Sequence, residues 1–150
     1  MWCAEALGYS GVASEPETID VPHFTLQDAT ALLPWLTAQL DEIAVVSAEL
    51  ARANAQAEAG RAHARSNGGK PRRDSARLGR SESDRLTRRV GELLQEVNAR
   101  GIILRDPQRG LVDFPSLREG REVYLCWLKG EEAIRFWHEV DAGFGGRQAL

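Results

Sequence analysis

Cysteine is scarce in this chain. Cys3 and Cys126 are the only two among 150 residues, too few and too far apart to make a disulfide framework, so both read as reduced thiols. Long apolar runs are also missing. None approaches the roughly 20 residues needed to cross a bilayer. Residues 1–22 have neither a basic leader nor a continuous apolar stretch, which excludes a secretory signal. A strong excess of one charge is absent too: the net charge of −3 gives no basis for nucleic-acid binding by the whole chain. These absences point to a cytoplasmic protein that does not engage membranes. Methionine occurs once, at position 1. The aperiodic Ser-, Gly-, Glu- and Pro-containing stretch 1–22 reads as a flexible arm, or as an overcalled start upstream of Val12 or Val21.

What is present suffices for one domain over residues 23–150. Hydrophobic residues make up 43% and charged residues 27%, the balance of a globular chain able to bury a core without staples. A helical hairpin is expected over 25–99. Thr25 and Asp28 have the spacing of a capping box. Leu26, Leu33, Leu36, Leu40, Ile43 and Leu50 follow at steps of three, four and seven, a coiled-coil-like seam. Pro34 within it predicts a kink or a fresh start. The second helix is expected to begin at Ser81 or Ser83. Leu86, Val90, Leu93 and Val97 form its complementary seam, and Gly101 stops it.

Between the two, residues 60–80 carry seven basic side chains and one acid, a local +6 that leaves −9 on the rest of the chain. With four glycines and a proline this stretch reads as a loop-like connector. It is either a solvated insertion or a basic tip for nucleic acid or an acidic partner. After Gly101 the pattern changes to short β-branched and aromatic runs separated by turn-like RDPQRG, PSLREG and KGEE. The expectation is an antiparallel meander of three or four strands, with Val123–Leu128 central. The last run, EEAIRFWHEV, reads as a strand, although a helical period also fits it. The fold class is therefore α+β: a long antiparallel helical hairpin followed by a small antiparallel β-meander.

Three stretches, FTLQDATALLPWL, GIILRDPQRGLVDFPS and REVYLCWLKGEEAIRFWHEVDAGFGGRQAL, together resemble the bacterial "domain of unknown function 2203" family, whose members are sometimes labelled division-initiation-like. The resemblance spans about residues 23–150 and implies a hairpin with a small β region. It implies no established activity.

The C-terminal stretch holds the candidate chemistry. His138 with Glu139, Asp141 and Cys126 forms a metal-ligand set, Asp113 being a further donor, since zinc takes about four N, S or O ligands. Alternation along a strand places His138 with Phe136 and Val140, and Glu139 with Asp141 on the opposite face. A tight turn at Gly130–Glu131 sets Cys126 against Arg135 or, with a one-residue slip, against Phe136. Neither register sets it directly against His138, and the alternative is a histidine hydrogen-bonded in or near the core. Cys126, in the most apolar strand, reads as a small buried hydrophobe.

Asp113, Arg121, Tyr124, Trp137, Asp141 and Arg147 form a ligand- or partner-contact set. Within it Asp113 could pair with Asp141 as catalytic carboxylates, or face Arg118, Arg121 or Arg147. Gly143, Gly145, Gly146 and Arg147 read as a cap folded over the sheet, with Arg147 on Asp113 or Asp141. Trp127 and Trp137 are expected to pack together. The leading functional expectation is an interaction or homo-oligomeric module without catalysis, with no cofactor and with a partner seated on the surplus first-helix seam. A metal-binding protein or metal-dependent enzyme centred on Trp-His-Glu-x-Asp is the alternative. Nucleic-acid contact through the basic connector is the second.

Overall fold

A computed structural model describes residues 22–69 and 73–150, together with the side chains from residue 76 onward in the second helix. The expected arm therefore lies, apart from Pro22, outside the described residues. Helix α1 runs from Leu26 to Ser66. The Thr25 hydroxyl accepts from the Asp28 N–H at 3.1 Å while the Asp28 carboxylate accepts from the Thr25 N–H at 3.3 Å, which closes the expected capping box. Pro34 sits inside α1 without ending it. Pro34 and Thr30 are both exposed, so water can satisfy the Thr30 carbonyl that proline leaves without a donor. Past Leu50 the alanine-rich stretch continues the helix to Ser66, as alanine's high helix propensity allows.

Helix α2 spans Arg73–Ala99. The expected loop over 60–80 is thus corrected to helix on both sides of a short connection, and Ser81 and Ser83 are interior to α2. Ser83 instead donates across the hairpin to Asn54 Oδ1 at 3.0 Å. Gly101 ends the second helical region with φ +79°, and a Cβ at this site would stand 2.5 Å from Pro22 Cγ.

Five antiparallel strands follow in the order β1 (Ile103–Asp106), β2 (Leu111–Arg118), β3 (Arg121–Leu128), β4 (Phe136–Glu139) and β5 (Gln148–Ala149). The meander is as expected, with β3 central and the last apolar run a strand. The fifth strand is additional, and a short 3₁₀ turn at Phe144–Gly146 leads into it. It forms because the glycine-rich tail folds back and pairs Ala149 with Phe136.

Register assigns the two sheet faces. Val112, Phe114, Val123, Leu125, Trp127 and Trp137 point to the helices and share one core with Leu33, Leu36, Leu40 and Ile43 of α1 and Leu93 and Val97 of α2. Each such side chain contributes about 1.5–3 kcal/mol on burial. Trp127 and Trp137 both enter this core, but Trp137 lies opposite Leu125. The first-helix seam is consequently used within the fold: Leu40 and Ile43 are only 1% and 2% exposed, leaving no partner surface at those positions. Leu26, by contrast, is exposed, and Val46 rather than Leu50 completes the buried stripe. The N-terminus of α1 is fastened to β2 by Phe24 N–H donating to Pro115 O and Ser116 Oγ donating to Phe24 O, both at 2.7 Å. No helix among the described residues is long and apolar enough to cross a membrane.

Candidate metal centre

The sheet face turned away from the helices carries the chemistry. Asp113 of β2 pairs directly with Cys126 of β3, while His138 of β4 pairs with Tyr124. His138 and Cys126 are therefore diagonal neighbours on one face. Direct cross-strand pairing does not bring the two together; the slipped register, Cys126 against Phe136, is the one present, and it sets them on a diagonal. Asp113, Cys126 and His138 each direct one potential ligand atom inward, all within 4.8 Å of one another. All three are buried.

Hydrogen bonding defines the state of the imidazole. His138 Nδ1 lies 2.8 Å from the Glu139 carbonyl oxygen. A carbonyl can only accept, so Nδ1 carries a proton and donates it. Nε2 faces Asp113 Oδ1 at 3.1 Å. In neutral histidine, Nε2 would then present a lone pair to a carboxylate oxygen, and two acceptors in that arrangement require a proton or a metal ion between them. Protonation makes the pair imidazolium–carboxylate; a metal ion would serve the same electrostatic need. The other Asp113 oxygen accepts from Arg105 Nε at 2.7 Å, and this hydrogen bond raises the Arg105 pKa against the opposing effect of burial. Arg105 reaches Asp113 from a β-bulge between Leu104 and Asp106, the kind of irregularity that re-aims a side chain.

Tyr124 closes another side, with its ring edge-on to His138 at 5.6 Å between centroids and under the Arg105 guanidinium. Burial, then the Asp113 charge, pushes the Cys126 thiol up to about 12, so without a metal it is protonated at neutral pH.

A C-terminal cap supports this face. Arg147 donates to both Glu131 carboxylate oxygens, at 2.9 and 2.7 Å, and to the Cys126 carbonyl at 3.2 Å. Its guanidinium also stacks over Phe136 and Phe144. Burial opposes the Glu131 charge, but Arg147 and the Leu128 N–H outweigh it and hold the carboxyl below its ordinary value of 4.5. The stabilisation from that shift is present above pH 4.5 and is lost as pH falls through the lowered Glu131 value. Arg147→Ala is expected to cost about 1–2 kcal/mol at neutral pH and to remove the Glu131 part of the acid dependence. Thermal unfolding of both proteins across the acid range measures this.

The other expected contacts are corrected. Arg147 pairs with Glu131 rather than Asp113 or Asp141, and Asp113 faces Arg105 rather than Arg118, Arg121 or Arg147. Glu139 projects to the opposite face and meets Arg121 at 3.3 Å. Asp141 is exposed beyond the end of β4, so neither it nor Glu139 joins Asp113, Cys126 and His138 in the buried cluster. Trp137 belongs to the helix-facing core. Arg105 and Glu131 were not among the sequence candidates. Their signals were only a charge beside a turn, and a bulge and a folded-back tail gave those charges their partners.

Residues 23–150 match the family model described as "Uncharacterized conserved protein (DUF2203)". No curated protein and no solved structure matches the chain. The chain belongs to the DUF2203 family of uncharacterized conserved proteins.

Proposed function

We propose that this protein binds a zinc-class transition-metal ion through Cys126 Sγ, His138 Nε2 and the Asp113 carboxylate. The observation carrying this reading is that Nε2 lies 3.1 Å from Asp113 Oδ1 while Nδ1 lies 2.8 Å from a carbonyl oxygen, the outer hydrogen bond that commonly orients a metal-binding histidine. The spacing is also appropriate. Two ligands each about 2.0 Å from a tetrahedral zinc stand about 3.3 Å apart, close to the 3.1 Å between Nε2 and Oδ1. Sulfur, imidazole nitrogen and carboxylate oxygen are all zinc donors, and three of them leave a fourth position for an exogenous ligand. Arg105 holds the remaining Asp113 oxygen and limits its rotation. The thiol proton and any Nε2 proton must leave on binding, so affinity falls with acid. This reading takes precedence over the interaction module expected from sequence, since Leu40 and Ile43 of the first-helix seam are buried within the fold.

The test is Co²⁺ titration of the metal-free chain with absorption spectroscopy, beside elemental analysis of protein purified without chelator. One equivalent and a thiolate-to-cobalt charge-transfer band are expected. His138→Ala should weaken binding by at least about 100-fold, and Cys126→Ser should lose the charge-transfer band. A folded wild-type chain that takes up neither ion would overturn the proposal and leave Asp113–His138 as a proton-bridged structural pair.

A further inference from the structure

The outer hairpin is chemically separate from the proposed metal centre. The last buried residue of α1 before its tip is Val46, and the first buried residue of α2 after the tip, among those described, is Leu86. At 1.5 Å per residue, α1 continues about 30 Å beyond that contact and α2 begins about 20 Å before its own. This projection is highly charged. Residues 47–85 contain nine basic and five acidic side chains, net +4, so the rest of the chain carries −7 of the total −3. Arg77, Arg80 and Arg88 lie on one exposed stripe of α2, opposite its buried Leu86–Leu93–Val97 side, with Asp84 between them. The stripe is about 17 Å long.

We infer that this projecting hairpin docks on the phosphate backbone of a double-stranded nucleic acid. Arginine on a rigid helix can match phosphate through its planar fork, and the acidic remainder of the molecule orients the tip toward the polyanion. Residues 46–89 contain no Phe, Tyr or Trp. The projection thus lacks the stacking platforms by which single strands are held, as well as the aromatic anchors that dominate many protein interfaces. Phosphate contact of this kind fixes position without reading sequence. Among the described side chains, Arg61 and Arg65 both pair with Glu58, Arg85 pairs with Glu82 and Arg89 pairs with Glu42, and the exposed Arg77–Arg80–Arg88 stripe provides the main contact.

Fluorescence anisotropy of a labelled short duplex with the full chain tests the inference across a salt series. Three phosphate contacts give a slope of about −2.7 in log K against log salt, a loss of about 40-fold between about 50 and 200 mM. The triple variant Arg77→Ala/Arg80→Ala/Arg88→Ala should lose at least about 10-fold at the lower salt and flatten that slope, with its circular dichroism unchanged. Asp84→Asn should bind more tightly. Unaltered binding by the triple variant, tighter binding of an equal-length single strand, or equally tight binding of an acidic polypeptide would overturn the inference.

Discussion

Asp113→Ala is expected to destabilise the metal-free protein by about 3 kcal/mol, within the range for breaking a buried ionic partnership. Asp113 and His138 are each about 1% exposed, so water cannot replace the lost carboxylate. If His138 stays charged, the imidazolium loses its acceptor. If it sheds the proton, Nε2 keeps a buried lone pair with no donor, at a cost of about 1–3 kcal/mol. Arg105 is half-exposed and loses less. Asp113→Asn provides the contrast. Its amide nitrogen can donate to Nε2 of a neutral histidine, and its amide oxygen can still accept from Arg105. We expect a cost of only about 1 kcal/mol, with metal affinity still reduced at least about 100-fold because the anionic ligand is gone. Urea unfolding in chelator, paired with Co²⁺ titration, separates the roles. Equal destabilisation by both variants would count against the proton and acceptor assignment.

Phe114→Ala carries a similarly large expectation, about 3–5 kcal/mol. Phe114 is fully buried on the helix-facing side of β2, edge-on to Phe24 at 5.4 Å between ring centroids. It joins the start of α1 to the sheet, next to the Phe24–Pro115 and Phe24–Ser116 hydrogen bonds. Hairpin and sheet should therefore unfold together. Denaturant melts followed by far-ultraviolet circular dichroism and by tryptophan fluorescence should lose midpoint together, with an unchanged slope. Separate transitions would show that the two elements do not share one cooperative core.

The legible parts of the fold were those encoded over short distances. Thr25 and Asp28 meet across one helical turn, Leu33–Leu36–Leu40–Ile43 repeats along one helix, and Gly101 relieves a local positive φ. Alternation within β4 likewise separated His138 from Glu139 before any pairing was known. The limits of 60–80 are hidden in composition, because its glycines and proline signal a loop while the alanine- and arginine-containing flanks have the propensity to continue the helices to Ser66 and back to Arg73.

The C-terminal FWHEVDAGFGGRQAL also mixed local and distant information. Its folded-back end could be read from glycine placement. The ligand set could not, because Asp113, Cys126 and His138 are separated by 13 and 12 residues and meet only when three strands align. A one-residue change of register would turn each side chain to the other face. Capping, periodicity and composition fix the α+β order, most of the buried helix stripe and the concentration of positive charge near the hairpin tip, while pairing with β3 makes the ending a strand. Tertiary structure alone decided that Cys126 is diagonal to His138, that a bulge aims Arg105 at Asp113, and that Arg147 pairs with Glu131. The physical reason is range: capping and periodicity act within a turn or two, while a site built across strands depends on pairing between residues far apart in the chain.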